Sequence, residues 1–166
     1  MREIYLAGGC FWGTEAYFKA IKGVTYTSVG YANGDTASTN YQEIKQTGHA
    51  EVVYIKYDPK VVGLNFLLEM YYKVIDPLSV NKQGEDVGAQ YRTGIYYADA
   101  NDLPVIKASI TRLERDLGET VAIEIAEVHN YVDAEDYHQD YLDKNPNGYC
   151  HIGTHHFEDA KNTFPS

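Results

Sequence analysis

Cys10 is the residue whose type and position point most directly to chemistry, because it follows Gly8-Gly9 and opens a predicted helix. The unpaired N–H groups at a helix N-terminus stabilise an anion, so a thiol placed there is a better nucleophile near neutral pH. A free cysteine is also commonly a small buried hydrophobic residue. Position alone therefore leaves Cys10 open between a thiolate nucleophile and a core side chain.

The composition excludes several other classes of protein. The 166 residues hold two cysteines and no Cys-x-x-Cys pair, which excludes a disulfide framework and a zinc fold with four cysteine ligands. Fourteen basic and 24 acidic side chains give a net charge of −10, and such a chain repels phosphate backbones and anionic lipids. Apolar runs are too short to span a bilayer. We expect a cytoplasmic protein in a reducing compartment, with no nucleic-acid or membrane partner.

The elements that must position Cys10 alternate along the chain. Strand patterns cover residues 3–7, 24–31, 50–57, 91–98 and 121–126. Helical patterns cover residues 10–22, 61–75, 102–117 and 133–143, with a polar loop at 76–90 and an irregular tail from about 145. Because no strict βαβ period appears, we expect an α+β fold in a single catalytic domain over residues 1–166. It would be a two-layer α/β sandwich around a mixed sheet, with a ferredoxin-like core.

Six sequence blocks resemble, in the same order, the peptide methionine sulfoxide reductases of type A. They are Gly9-Cys10-Phe11-Trp12-Gly13, Gly30-Tyr31, Tyr41, Gly48-His49-Ala50-Glu51, Gly88-Ala89-Gln90-Tyr91-Arg92 and Asn145-Pro146-Asn147-Gly148-Tyr149-Cys150. The similarity extends over residues 3–152, nearly the whole chain. It implies an oxidoreductase that reduces the S epimer of methionine sulfoxide, free or in proteins. Thioredoxin or dithiothreitol would supply the electrons, and no bound cofactor is expected.

The resemblance implies a role for each of four residues in oxygen transfer. A sulfoxide sulfur is electrophilic but its oxygen leaves poorly, so the reaction needs a thiolate and a proton donor. Cys10 matches the family's nucleophile. Glu51 matches the acid, and at the start of an apolar strand partial burial would favour its protonated form, although a strand carboxylate can also face solvent. Tyr41 and Tyr91 match two tyrosines whose neutral hydroxyls point at the sulfoxide oxygen.

The same resemblance implies a binding pocket and a second thiol. Phe11 and Trp12 match the walls of a pocket for the S-methyl group, and Phe11 also fits the core face of the first helix. Asp86 matches a residue that binds the substrate backbone amide, although it can equally be a turn residue. Cys150 matches a resolving cysteine, which condenses with the sulfenic acid on Cys10. No cysteine follows Cys150, so thioredoxin should attack the Cys10–Cys150 disulfide directly.

Three other functions remain open from the residues alone. Cys150 stands near three tail histidines, but their spacing fits no strong zinc motif and we predict no metal site. These histidines are His151, His155 and His156. A cysteine hydrolase would use Cys10 as nucleophile and His49 or His129 as base. A non-catalytic binding domain would use a surface rich in the 16 tyrosines.

Overall fold

The computed structural model describes residues 1–9, 11–83 and 86–139, over which strands alternate with helices. The strands are β1 Arg2–Ala7, β2 Val24–Ala32, β3 Ala50–Tyr57, β4 Lys82–Gln83, β5 Asp86–Val87, β6 Gly94–Tyr97, β7 Glu124–Glu127 and β8 Val132–Asp133. The α-helices are α1 Phe11–Lys19, α2 Ile44–Thr47, α3 Leu64–Tyr72 and α4 Leu103–Leu117. None of the described helices has the length and apolar character needed to cross a lipid bilayer.

Six of the strands form one mixed sheet in the order β7-β6-β1-β3-β2-β8, and β4 pairs with β5 as a separate hairpin. In the larger sheet β6 and β7 run parallel, joined by α4, as a crossover helix requires. The other neighbouring strands are antiparallel. Residues of α1, α3 and α4 pack against the central strands in one hydrophobic cluster. These features confirm the predicted α+β sandwich around a mixed sheet.

The two faces of the sheet differ in what covers them. Alternate strand residues such as Ile4, Val53 and Ile55 join the helices in the main core. The intervening residues, among them Ala7 and Val52, belong to a smaller cluster on the opposite face. Neighbouring tyrosine rings extend that second face, with centroids 5.0 to 6.1 Å apart; they are Tyr5, Tyr26, Tyr54 and Tyr131. Part of the tyrosine excess is therefore a packed layer on the face that the described helices do not cover.

The prediction of a helix over residues 133–143 is wrong for residues 133–139, the part that the structure describes. β8 instead pairs with the edge of β2, and one 3-10 turn follows over Asp136–His138. The Gln139 side chain accepts a hydrogen bond from the Val29 N–H at 2.9 Å and donates one to the Val29 carbonyl at 2.8 Å. An edge strand presents unpaired N–H and C=O groups, and pairing with them outcompetes a short helix that has little intrinsic stability.

The other predicted elements occur with altered ends. The polar loop predicted over 76–90 contains the β4–β5 hairpin, and the strand predicted from residue 91 begins at Gly94. A 3-10 turn over Ala89–Tyr91 comes first, and Gly88 enters it with φ 141°, a conformation that glycine adopts without strain. The irregular tail predicted from about residue 145 lies outside the described residues.

Candidate active site

The alternation of β3 places Glu51 on the helix-covered face of the sheet. Glu51 stands opposite Tyr31 of β2 in the strand register, and 2% of its surface is exposed. Its Oε1 accepts a hydrogen bond from the Phe11 N–H at 3.3 Å. That N–H is one of those that a helix N-terminus leaves without an intrahelical partner. The carboxyl is therefore buried at the start of α1, and the solvent-facing alternative is wrong.

Hydrogen bonds hold the backbone on both sides of position 10. The Gly9 N–H donates to the Tyr91 carbonyl at 3.2 Å, and Gly9 has φ 78°, in the left-handed region that favours glycine. On the other side, the Phe11 N–H binds Glu51. Cys10 itself lies outside the described residues. Its two neighbours are nevertheless tied to Glu51 and to the backbone of Tyr91, two residues to which the family resemblance assigns a role in oxygen transfer.

A cluster of four rings, which we call the His138 cluster, brings together Phe11, Trp12, Tyr41 and His138. The ring centroids of Phe11, Trp12 and Tyr41 lie 5.2, 5.7 and 4.8 Å from that of His138. The Trp12 Nε1–H donates to His138 Nδ1 at 2.9 Å. Phe11 is buried and also packs against Tyr31 at 5.7 Å, so it belongs to the core, as predicted, and also to this cluster.

Glu135 anchors the exposed side of the His138 cluster. Its Oε1 accepts from the Tyr31 hydroxyl at 2.8 Å, and its Oε2 accepts from the Tyr41 N–H at 3.3 Å. Burial by itself would raise the pKa of Glu135, but hydrogen bonds from the backbone and from Tyr31 outweigh it and lower the pKa. The charged carboxylate thus fastens the loop of Tyr41, a residue 37% exposed, to β2 at Tyr31.

Arg92 joins three loop segments around Tyr91. Its guanidinium donates to the Gly48 and Asn33 carbonyls, each at 2.9 Å, and to the Ala89 carbonyl at 3.0 Å. Gly48 lies just before β3, and Asn33 just after β2. A planar guanidinium can satisfy several acceptors at fixed angles. Arg92 therefore sets the Tyr91 turn against the approach to the strand that carries Glu51.

The remaining predicted site residues lie wholly or partly outside the part of the chain that the structure describes. The backbone of Asp86 pairs with Gln83 in the β4–β5 hairpin, and its side chain is outside the described groups. Cys150 and the three tail histidines also lie outside the described residues. Among the residues that are described, no group of three or more His, Cys, Asp or Glu side chains is arranged to hold a metal ion.

His49 and His129, the two candidate bases of a cysteine hydrolase, have different surroundings. His49 is fully buried, and its ring nitrogens are bonded to Thr47 Oγ1 at 2.9 Å and to the Asn130 carbonyl at 3.1 Å. Burial also lowers the pKa of His49. His129 is exposed. In this structure His49 ties two loops together, which is a structural role.

The sequence prediction missed His138, Glu135 and Arg92. His138 and Glu135 fell in the helix predicted over 133–143. In a helix, two polar residues three positions apart lie on the same side, which is typical of a face exposed to solvent. Arg92 belonged to a matched block but received no role. The available signal was the scarcity of apolar residues in Glu135-Asp136-Tyr137-His138-Gln139, which is unusual for a helix that must bury one face.

Comparisons with known proteins show which family this chain resembles. The family model described as peptide methionine sulfoxide reductase matches residues 2–165. The peptide methionine sulfoxide reductase MsrA of Lachnoclostridium phytofermentans is 55% identical over 163 residues, covering 97% of this chain and 98% of that protein.

Two solved structures are also similar. Reduced Mxr1 from Saccharomyces cerevisiae has a TM-score of 0.86 and 37% identity, covering 90% of this chain and 88% of that one. Mxr1 in complex with Trx2 has a TM-score of 0.62 and 27% identity, covering 84% of each chain.

Proposed function

This chain belongs to the peptide methionine sulfoxide reductase family, and from that premise we propose that it reduces the S epimer of methionine sulfoxide, free or in proteins. One observation carries the proposal. The backbone on either side of position 10 is hydrogen-bonded to the Glu51 carboxyl and to the Tyr91 carbonyl. A nucleophile at that position would therefore stand beside the Glu51 carboxyl and the Tyr91 backbone at the N-terminus of α1.

Oxygen transfer then proceeds with Cys10 as nucleophile and Glu51 as acid. The Cys10 thiolate attacks the sulfoxide sulfur while Glu51 gives a proton to the oxygen. Burial of Glu51 favours the protonated form that this step needs. The oxygen ends on Cys10 as a sulfenic acid and methionine leaves, after which Glu51 takes up a proton from solvent. The hydroxyls of Tyr41 and Tyr91 donate to the oxygen as its charge develops.

The substrate is held on the His138 cluster. Phe11 and Trp12 form the walls for the S-methyl group, since sulfur and methyl groups pack well against aromatic rings. Asp86 accepts a hydrogen bond from the substrate amide. With the methyl group against the indole and the oxygen toward the phenols, the sulfur lone pair is left to one side, so one epimer alone presents its sulfur to Cys10.

The enzyme is recycled through a second thiol. Cys150 attacks the sulfenic acid on Cys10, which releases water and forms a Cys10–Cys150 disulfide. Thioredoxin then reduces that disulfide by exchange, or dithiothreitol does so in vitro, and no bound cofactor takes part. The complex of the yeast relative with Trx2 supports this partner. The scheme fits a protein working in the reducing cytoplasm.

Separate epimers test the proposal. The purified chain is offered the S or the R sulfoxide with dithiothreitol, and free thiols are counted after one turnover without reductant. We expect the S epimer alone to be consumed and two thiols to disappear. The Cys10→Ser variant should be inactive, whereas Cys150→Ser should complete the first oxygen transfer and stall with thioredoxin. Consumption of neither epimer, or survival of both thiols after turnover, would contradict the mechanism.

A further inference from the structure

His138 is the shared neighbour of three predicted site residues that come from two distant segments. Phe11 and Trp12 begin α1, Tyr41 lies in the loop before α2, and all three rings meet an imidazole that is 1% exposed. A tightly packed ring at such a junction constrains each ring that touches it. The orientation of Trp12 and Tyr41 therefore depends on where His138 lies.

The Trp12 hydrogen bond fixes the protonation state of His138. An indole N–H is a donor only, so His138 Nδ1, 2.9 Å from Trp12 Nε1, must accept. The neutral imidazole consequently carries its proton on Nε2. An imidazolium would place an N–H on Nδ1, directed at the indole N–H, and the bond would be replaced by repulsion.

The segment around His138, here named the strap (Val132–Gln139), holds the ring from both sides. β8 pairs with β2, Glu135 binds Tyr31 and Tyr41, and the Gln139 amide pairs with the backbone of Val29. These backbone and side-chain bonds therefore hold the imidazole in position independently of its hydrogen bond with Trp12.

The ionisable groups around His138 come from several elements. Glu135 and Asp136 lie on the strap, Tyr31 lies on β2, Tyr41 lies on the loop before α2, and Glu51 lies on β3 behind Phe11. From α1 the contacting rings are Phe11 and Trp12, which carry no charge. Burial lowers the pKa of His138, and the charge of Glu135 opposes that effect in part.

We propose that His138 is a positioning residue for the methyl pocket: its neutral ring accepts from Trp12, packs against Tyr41, and releases the indole when it becomes protonated. The inference rests on the proposed function, because it concerns the pocket that selects the sulfoxide. His138 acts through Trp12 and Tyr41. Loss of His138 should therefore weaken substrate binding more than it slows the chemical step.

The first test uses Trp12 itself, because it is the single tryptophan of the chain. Protonation of a ring stacked on the indole changes its emission, so the substrate-free protein should show an acid transition below pH about 6.5, the ordinary value for histidine. His138→Asn keeps an acceptor near the Nδ1 position but cannot titrate, and it should abolish the transition. The control His129→Asn removes an exposed histidine and should retain it. Persistence of the transition in His138→Asn would overturn the proposal.

The second test separates the acceptor from the ring by steady-state kinetics. His138→Phe keeps the aromatic contacts but leaves the Trp12 N–H without its acceptor. We expect KM for the sulfoxide to rise about five- to tenfold, the size of one lost hydrogen bond, with kcat nearly unchanged, and we expect His138→Asn to restore most of KM. A wild-type KM in His138→Phe would overturn the proposal, as would a kcat loss with no change in KM.

The outcomes distinguish this inference from the proposed function. If the wild-type chain reduces no sulfoxide, the proposed function fails, and the Trp12 titration still decides whether His138 titrates against the indole. If sulfoxide reduction is normal but emission shows no acid transition, the inference fails alone. Far-UV circular dichroism over the same pH range excludes unfolding as the source of the transition. If His138→Phe does not fold, the titrations of wild type and His138→Asn decide.

Discussion

The site consists of two halves that are held in place by different forces. The strand-built half comprises the β1–α1 junction and the start of β3, with Phe11 and Glu51. The loop-built half comprises residues 33–48, 88–92 and the strap, with Tyr41, Tyr91 and His138. In the first half, strand pairing and core packing set each position. In the loop-built half, individual side chains set the positions, mainly by binding backbone groups of other segments.

The difference predicts which substitutions separate activity from stability. A sheet is held by many cooperative contacts, so one lost hydrogen bond in the strand-built half lowers the free energy of unfolding while the survivors keep the geometry. The loop-built half depends on Arg92, Glu135 and Gln139, whose side chains join segments that share at most the two-residue pairing of β8 with β2. Loss of one should move a site residue while most of the stability remains.

The largest expected effect is that of Glu51→Gln. Glutamine still accepts from the Phe11 N–H, so the fold should be kept, but the proton donor is lost. Single-turnover formation of methionine should slow about 10²–10⁴-fold, the usual contribution of a general acid. The loss should be greatest at higher pH, where other acids cannot substitute.

A second buried carboxyl provides the control for Glu51→Gln. Glu15 on α1 is equally buried and accepts from Thr27 Oγ1 at 3.1 Å, but it has no assigned role. Glu15→Gln should leave the rate unchanged. An unchanged rate in Glu51→Gln at high pH would show that Glu51 is not the general acid.

The next effect concerns stability alone and tests the strand-built half. The Tyr71 hydroxyl is buried, donates to the Ala7 carbonyl, and accepts from the Gly94 N–H at 3.1 Å. Tyr71→Phe should lower the free energy of unfolding by about 1–3 kcal/mol, because a buried N–H loses its partner. Urea unfolding measures the change, and kcat/KM should stay near wild type.

Its neighbour Tyr72 is the matched control, because its hydroxyl is only partly buried against Ser109 at 2.8 Å. In the same urea experiment, Tyr72→Phe should lower the free energy of unfolding by less than Tyr71→Phe does. If Tyr71→Phe instead kept its stability and lost most of its activity, the two halves would not differ as described.

Arg92→Lys should have the opposite signature. A lysine ammonium is a point charge and cannot span carbonyls that a planar guanidinium reaches together. The Tyr91 turn should shift against β3, and kcat/KM should fall about tenfold, within the range expected for a small misplacement. Thermal unfolding should change little. Arg115→Lys on the exposed side of α4 is the control, and a wild-type kcat/KM in Arg92→Lys would show that the Arg92 guanidinium does not position Tyr91.

The same division explains what the sequence could predict. Local periodicity predicted that Glu51 lies on a strand and Phe11 at a helix start, but it left open whether Glu51 is buried or faces solvent. The strap was predicted as a helix, since its edge pairing with β2 involves residues about a hundred positions away. Arg92 and Glu135 bind backbone groups, and such contacts leave no periodic signal.

The smallest effect concerns how charge holds the loop-built half. Glu135 has a lowered pKa in the folded chain, so its ionised form stabilises the fold above pH about 4.3, the value in an unfolded chain. That contribution is lost as the pH falls through the lower folded value. Glu135→Gln keeps the acceptor for Tyr31 but not the charge. Its stability deficit should be under about 1 kcal/mol at pH 7, because the carboxylate is partly exposed.

The deficit of Glu135→Gln should shrink toward zero as urea unfolding is repeated at pH values stepped down from 7 to below 4, since wild type then loses the same charge. Glu119→Gln, at an exposed carboxylate after α4, should show no such convergence. A deficit that grew on acidification would mean that the neutral carboxyl, and not the carboxylate, holds Tyr41 to Tyr31. The loop-built half would then lose the acid sensitivity that separates it from the strand-built half.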